Sequence, residues 1–342
     1  MSTKAQEIAK TQARKPPVFV CGFPRSGTTL LYHMLLSSGG FAYYRTESWV
    51  YDILVPKFGN LASMRNKQRL MELWLRSDNY RLSGLDAGAI TTRVMSECRH
   101  GGDFLEIVMG SIAENQHVDR WAESTPMHIL YLPEIKRTLP TALVIHVIRD
   151  GRDAALSYSK TGWSHALPWD KHKSLLMSCV YWEWMIRKGR SYRQLIGPNY
   201  MEVRFEELIN NPEETLARIG GFIDHDLDYS HILEVGIGSV KEPNTSFKEG
   251  SREDTFNPVG RWKKSLSRDD VAMMERLIGP FLEELGYEVS TPAQDIRGSL
   301  DARRFRRLYF AYFELKHWLK TRTRLGRFLV NTDLFERPLD PV

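Results

Sequence analysis

The sequence predicts an α/β fold, a P-loop-type parallel β-sheet flanked by helices on both faces, and three observations carry that expectation. Apolar runs of strand length at 18–21, 142–148 and 200–205 alternate with longer segments whose apolar residues recur at helical spacing. Strands that are continuously apolar belong to sheets covered on both faces, which are built from parallel strands and crossover helices. The first run ends in a glycine loop that opens a helix. Conspicuous residues also follow the second run, and ligands bind beyond this carboxyl edge in such sheets.

In chain order, the first sixteen residues are polar and charged, have no apolar core of a secretory signal, and read as a flexible N-terminus. Residues 18–21 form the first strand, 27–38 a helix and 41–44 a short second strand. Helical insertions are expected around 67–74, 104–115 and 129–138. The run 142–148 is a strand, and the charged residues after it open a helix near Asp153. A long helix is expected over 175–195, a strand over 200–205, and a helix over 212–222 after Asn210-Asn211. One domain over 17–290 and a basic helical extension over 291–342 complete the division of the chain.

Composition narrows the class. The 342 residues contain no Pro/Ser linker, low-complexity block or internal repeat, and the longest apolar runs are far short of a bilayer span. Cys21, Cys98 and Cys179 are scattered without C-x-x-C spacing, which argues against a zinc site or disulfide framework and suits reduced thiols in a cytoplasmic protein. No metal and no nucleic-acid partner is expected. The net charge of +5 is concentrated: residues 302–327 hold nine Lys/Arg against one acid, Glu314. Phe305, Leu308, Tyr309, Tyr312, Leu315 and Leu319 recur there at helical spacing between the cations. That stripe either packs on the domain or forms an interfacial helix on an anionic membrane or an arm over an acidic substrate.

The loop Gly22-Phe23-Pro24-Arg25-Ser26-Gly27-Thr28-Thr29-Leu30 is the most informative stretch. Its glycines keep the spacing of a nucleotide-binding P-loop, G-x-x-x-x-G-K-[ST], but Thr28 stands where the lysine belongs. Backbone N–H groups and a helix N-terminus still suit an anion. Arg25, always protonated and rich in donors, could meet charge on a leaving phosphate. The plain alternative is a strand-turn-helix whose glycines only make the turn. A second edge, Arg149-Asp150-Gly151-Arg152-Asp153, has Ser157 two helical turns on, and Arg149 and Ser157 could converge on one phosphate. The competing reading pairs Arg149 with a neighbouring acid and leaves Ser157 on a helix surface.

Together these two edges resemble the sulfotransferase family, which transfers sulfonate from 3′-phosphoadenosine 5′-phosphosulfate (PAPS). Two later motifs extend the resemblance. Val203-Arg204-Phe205-Glu206-Glu207-Leu208 with Asn211-Pro212-Glu213 is similar to the family's Tyr-Glu-Asp-Leu and Asp-Pro pattern. Gly260-Arg261-Trp262-Lys263 is similar to its late G-x-W-K element. The resemblance spans roughly 18–285 and lies closer to the carboxylate-base, protein-tyrosine-sulfotransferase-like branch than to the cytosolic small-molecule enzymes.

The resemblance implies roles. Arg25, Ser26, Gly27, Thr28, Thr29 and Leu30 would hold the 5′-phosphosulfate, Arg149 and Ser157 the 3′-phosphate, and Phe205 would lie near the adenine. Arg261, with Ser246, Lys248 and Arg252 in the preceding loop, would close over the nucleotide, although the Arg-Lys-Gly triplet typical of the cytosolic small-molecule enzymes is missing before Gly260. Glu47 is the expected base, its alternative being a surface carboxylate paired with Arg45. His128 is the rival base, after Glu123-Ser124-Thr125-Pro126, which resembles an E-K-T-P stretch with serine in place of lysine. A P-loop kinase or NTPase, and a non-catalytic nucleotide-binding protein on the same fold, are the competing classes. The acceptor would be a hydroxyl on a metabolite, lipid or carbohydrate. Its contacts would come from 50–120 and 162–173, with Tyr51, Trp74, Trp163 and Trp169 as a candidate wall or as plain packing.

Overall fold

The computed structural model describes residues 14–163, 166–242 and 257–336. The sheet has four parallel strands: β1 (Val18–Gly22), β2 (Ala122–Glu123), β3 (Leu143–Ile148) and β4 (Tyr200–Arg204), in the order β2-β1-β3-β4. Alternation along β1 sends Phe19 and Cys21 into one apolar cluster and Val18 and Val20 into the other, so both faces are buried as the sequence predicts.

Helix α1 (Thr28–Ser37) follows β1, and α2 (Gly101–Asn115) ends the insertion before β2. Helix α3 (Gly151–Ser159) leaves β3, and α4 (Ser174–Ser191) lies against it. Gly151 is at that crossing because a Cβ there would stand 2.6 Å from the Trp182 ring. Helices α5 (Pro212–Ile223), α6 (Arg268–Glu284) and α7 (Leu300–Arg322) complete the scaffold.

Three expectations are corrected. Residues 41–44 are not a strand: only Phe41 bridges to Arg120, and Thr46 N–H turns back to the Tyr44 carbonyl. The place beside β1 is taken by Ala122–Glu123, with Val18 opposite Ala122. The helix expected over 129–138 is a 3-10 turn (Pro126–Tyr131) followed by an α-helix (Leu132–Thr138), because Pro133 cannot donate the hydrogen bond that would continue the first into the second. The helix expected to reach 195 stops at Ser191, and a separate turn, Arg193–Ile196, follows.

Helix α7 packs on the domain, the first of the alternatives for the basic stripe. Phe313 is buried against Tyr181 and Trp184 of α4, and the buried Tyr309 packs on Phe313 and donates its hydroxyl to Asp170 at 3.2 Å. Arg306 makes two 2.7 Å bonds to the buried Glu183 carboxylate, Glu314 accepts from Lys188 at 2.9 Å, and Lys320 reaches Asp52 at 2.6 Å.

Candidate functional site

β1 and β3 run so close at their carboxyl ends that a Cβ on Gly22 would stand 2.4 Å from the Val147 carbonyl oxygen, so only glycine fits. The chain then turns through Arg25 (φ 71°) and Gly27 (φ 92°), and α1 begins at Thr28. Gly27 is required twice over, by its left-handed backbone and because a Cβ would meet the Phe205 ring at 2.2 Å. The first-turn N–H groups of α1 have no intrahelical acceptor, which aims a small positive field into the loop.

The second edge is fastened to this loop. Arg149 donates through Nη1 to the Arg25 carbonyl at 3.0 Å and through Nη2 to the Pro258 carbonyl at 2.6 Å, while its guanidinium lies 4.6 Å above the Phe205 ring. Arg25 Nε donates to Ser157 Oγ at 3.0 Å, so arginine and serine from two elements meet. The neighbouring acid is Asp153, 3.8 Å from Arg149 and chiefly occupied otherwise: its carboxylate accepts the Gly260 and Trp262 N–H groups, each at 2.8 Å. Those bonds hold Arg261, the residue between them, at the cavity.

Sequence reasoning assigned nothing to Asp153, nor to Arg152, which ties Asp150 to Glu275 at 2.7 and 2.6 Å and stacks on Trp262. Glu206, which accepts the Asp150 N–H at 2.8 Å and the Tyr287 hydroxyl at 3.0 Å, was missed as well. Their signal was the density of charges in a segment that must sit at a buried strand end. Such charges need partners.

A cavity of about 370 Å³ brings together Arg25, Gly27, Thr28, Thr29, Leu30, Arg149, Ser157, Phe205, Arg261 and Glu47. Met34, Leu208, Ile209, Tyr229 and Val240 add an apolar section. Ser26 is fully buried and does not line the cavity, and its Oγ has no hydrogen-bond partner among the described residues. Ser246, Lys248 and Arg252 lie outside the described residues.

Three arginines concentrate positive charge at the cavity. Burial pushes Arg25 below the usual arginine range, and Arg149 and Arg261 push it further. Arg261 is likewise lowered by burial and then by Arg149. Cations that repel one another in a partly buried space are relieved by a ligand carrying several negative charges. Arg149 Nε is buried with no hydrogen-bond partner among the described residues, a donor that a phosphate would satisfy.

Glu47 lines the same cavity. Asn79 fixes its backbone carbonyl at 2.6 Å, but its Oε2 is buried with no hydrogen-bond partner among the described residues, and no ion pair to Arg45 forms among them. Burial, reinforced by Glu123 and Asp52, pushes its carboxyl up to about 8. A base in that range is matched to neutral-pH proton transfer.

His128 lies away from that cavity. It is fully buried and does not line the cavity; its Nδ1 is 2.8 Å from Glu123 and its Nε2 accepts the Tyr51 N–H at 3.3 Å. Burial favours protonation of Glu123, but its contact with His128 and hydrogen bonds from His128, Thr125 and Ser48 outweigh it and bring the carboxyl to about 2. The pair supports the strand end beneath the Ser48 backbone, which donates to Thr125 Oγ1 at 3.0 Å. Ser124 Oγ is buried with no partner among the described residues. Tyr51 and Trp74 are core residues, at 1% and 2% exposure; Trp163, 54% exposed, lines the cavity, and Trp169 does not.

The model of the Sulfotransferase family matches residues 16–229. A putative protein-tyrosine sulfotransferase of Caenorhabditis briggsae is 25% identical over 81% of this chain and 91% of its own length. Protein-tyrosine sulfotransferase A of Caenorhabditis elegans is 25% identical over 80% of this chain and 67% of its own. Among solved structures, the sulfotransferase domain of the Synechococcus olefin synthase superposes with a TM-score of 0.50 and 17% identity, covering 82% of this chain and 98% of that one, a likeness of fold.

Proposed function

The chain belongs to the sulfotransferase family and is a sulfotransferase, and from that premise we propose that it moves the sulfonate of PAPS to an acceptor hydroxyl with Glu47 as the base. The observation that supports this most is a cavity that holds three mutually repelling arginines together with Glu47, whose Oε2 is buried with no hydrogen-bond partner among the described residues. The donor matches it in charge, with a phosphosulfate at one end and a second phosphate at the other.

The residues divide the work. The α1 N-terminus, Thr28 and Thr29 bind the 5′ end, while Arg149 and Ser157 bind the 3′-phosphate. Phe205, pinned between Gly27 and Arg149, gives the nucleotide a flat apolar wall. The donor supplies an electrophilic sulfur and a good leaving group. Glu47 accepts the acceptor's hydroxyl proton as the new O–S bond forms. Arg25 donates to the bridging and terminal phosphate oxygens that gain charge as the old O–S bond breaks, a role worth on the order of 3 kcal/mol of barrier in comparable sites. Arg261, held through Asp153, covers the charge from the opposite side.

Incubation with labelled PAPS and a metabolite extract, followed by mass spectrometry of whatever gains sulfonate, tests the activity and identifies the acceptor. Labelled product with the native chain and none with Glu47→Gln is expected. Equal product from both removes Glu47 from the mechanism.

A further inference from the structure

The solvent side of α7 is as ordered in sequence as its packed side. Arg304, Leu308, Ala311, Leu315, Trp318 and Arg322 follow at three- and four-residue steps and so form one stripe along the helix. Leu308, Leu315 and Trp318 are 47%, 56% and 54% exposed, and just beyond the helix Phe328 is 78% exposed. The core is not their destination, because Tyr309 and Phe313 occupy the buried side. A contiguous apolar strip of this length on the surface is a contact site rather than the scatter of single exposed residues found everywhere.

Charge identifies the partner. Of the helix's cations, Arg306 and Lys320 are used in packing. Arg303, Arg304 and Arg307 at one end of the stripe and Arg322, Arg324 and Arg327 at the other are exposed and form no ion pair with an acid among the described residues. A second copy of the chain is a poor occupant, because pairing the stripes in either direction sets arginines against arginines. A nucleic acid would use the arginines but leave the leucines and tryptophan in water. An anionic lipid surface satisfies both. We propose that α7 and the turn after it lie flat on a membrane bearing anionic lipids, with Leu308, Leu315 and Trp318 at the acyl boundary and the flanking arginines at headgroup phosphates. No helix among the described residues is long and apolar enough to cross a membrane, so the contact is interfacial.

Flotation of the full chain with vesicles of phosphatidylcholine alone, or of phosphatidylcholine mixed with phosphatidylserine, tests this. The protein is expected to float with the mixed vesicles, to lose that binding as salt is raised, and to bind the neutral vesicles far more weakly. Arg304→Gln with Arg322→Gln should weaken binding roughly thirtyfold, about fivefold per arginine. Leu315→Ser with Trp318→Ser should weaken it on both vesicle types. Unchanged affinity for 3′-phosphoadenosine 5′-phosphate shows that each variant is folded. The proposal is overturned if the native chain floats with neither vesicle, if both double variants bind as the native chain does, or if Leu315→Ser/Trp318→Ser abolishes a dimer while vesicles capture nothing.

Discussion

Arg149 donates to the backbone carbonyl of Arg25 at 3.0 Å, so the residue proposed for one end of the nucleotide also shapes the loop proposed for the other end. With Arg25 Nε on Ser157 Oγ, the link runs in both directions. The two proposed anion sites are therefore mechanically joined, which would lower the ordering cost of binding a donor that spans both.

That coupling refines what Arg149→Ala should do. Affinity for 3′-phosphoadenosine 5′-phosphate should fall by about 2–3 kcal/mol, the worth of charge-assisted bonds to a phosphate. Affinity for the analogue lacking the 3′-phosphate should fall less, but not by zero, because the Arg25 carbonyl loses its support. Calorimetric titration of both nucleotides distinguishes the cases, and equal losses would refute the 3′-phosphate role.

Glu47→Gln should abolish transfer while leaving nucleotide affinity nearly unchanged. In the native enzyme kcat/KM should rise about tenfold per pH unit up to the range of the Glu47 carboxyl, about 8, and then level off, since this profile reports the free enzyme's base. A profile flat from pH 6 to pH 9, as outer limits of roughly that range, would point to a base other than Glu47.

The same carboxyl sets a stability prediction of defined sign. Its folded-state pKa is raised, so its favourable contribution is complete below the ordinary carboxylate range and is lost as pH climbs from there through about 8. Glu47→Gln should therefore melt close to the native chain at acid pH and above it in alkali, by an amount on the order of a few kcal/mol. Thermal melts across pH check this. A variant less stable than the native chain in alkali would show that the carboxylate is paired rather than stranded.

How far the sequence carried can be read from these residues. The P-loop glycines, Arg149, Ser157, Phe205 and Arg261 were legible because strand ends and glycine turns are local signals, and the parallel sheet then brings successive strand ends to one edge. Glu47 was legible only by analogy of position: its segment is not a strand, and what aims it at the cavity is Asn79 on its backbone carbonyl together with the Glu123 network beneath Ser48. Those contacts join residues far apart in sequence and leave no periodicity to read. The burial of His128 was hidden for a related reason. A histidine near a proline-containing turn looks the same in sequence whether it faces a cavity or a buried glutamate, and only packing decides.

Lys320 and Asp52 extend the site's wiring to the C-terminal helix. Asp52 follows Glu47 by five positions, accepts the Tyr131 hydroxyl at 2.9 Å, and is held below the usual carboxylate range, where the opposing effect of burial is outweighed by Lys320 and Tyr131. Because its charge also helps to raise Glu47, Asp52→Asn should move the acid limb of kcat/KM to lower pH without removing it. Lys320→Met should instead cost about 3 kcal/mol of stability, by leaving a largely buried carboxylate without its cation, and adding Asp52→Asn should recover most of that loss. Melts and pH profiles of both single variants and the double variant separate the two effects. If Asp52→Asn leaves the limb in place, the field at Glu47 has another source, and if the double variant stays as unstable as Lys320→Met, the contact holds the helix by packing alone.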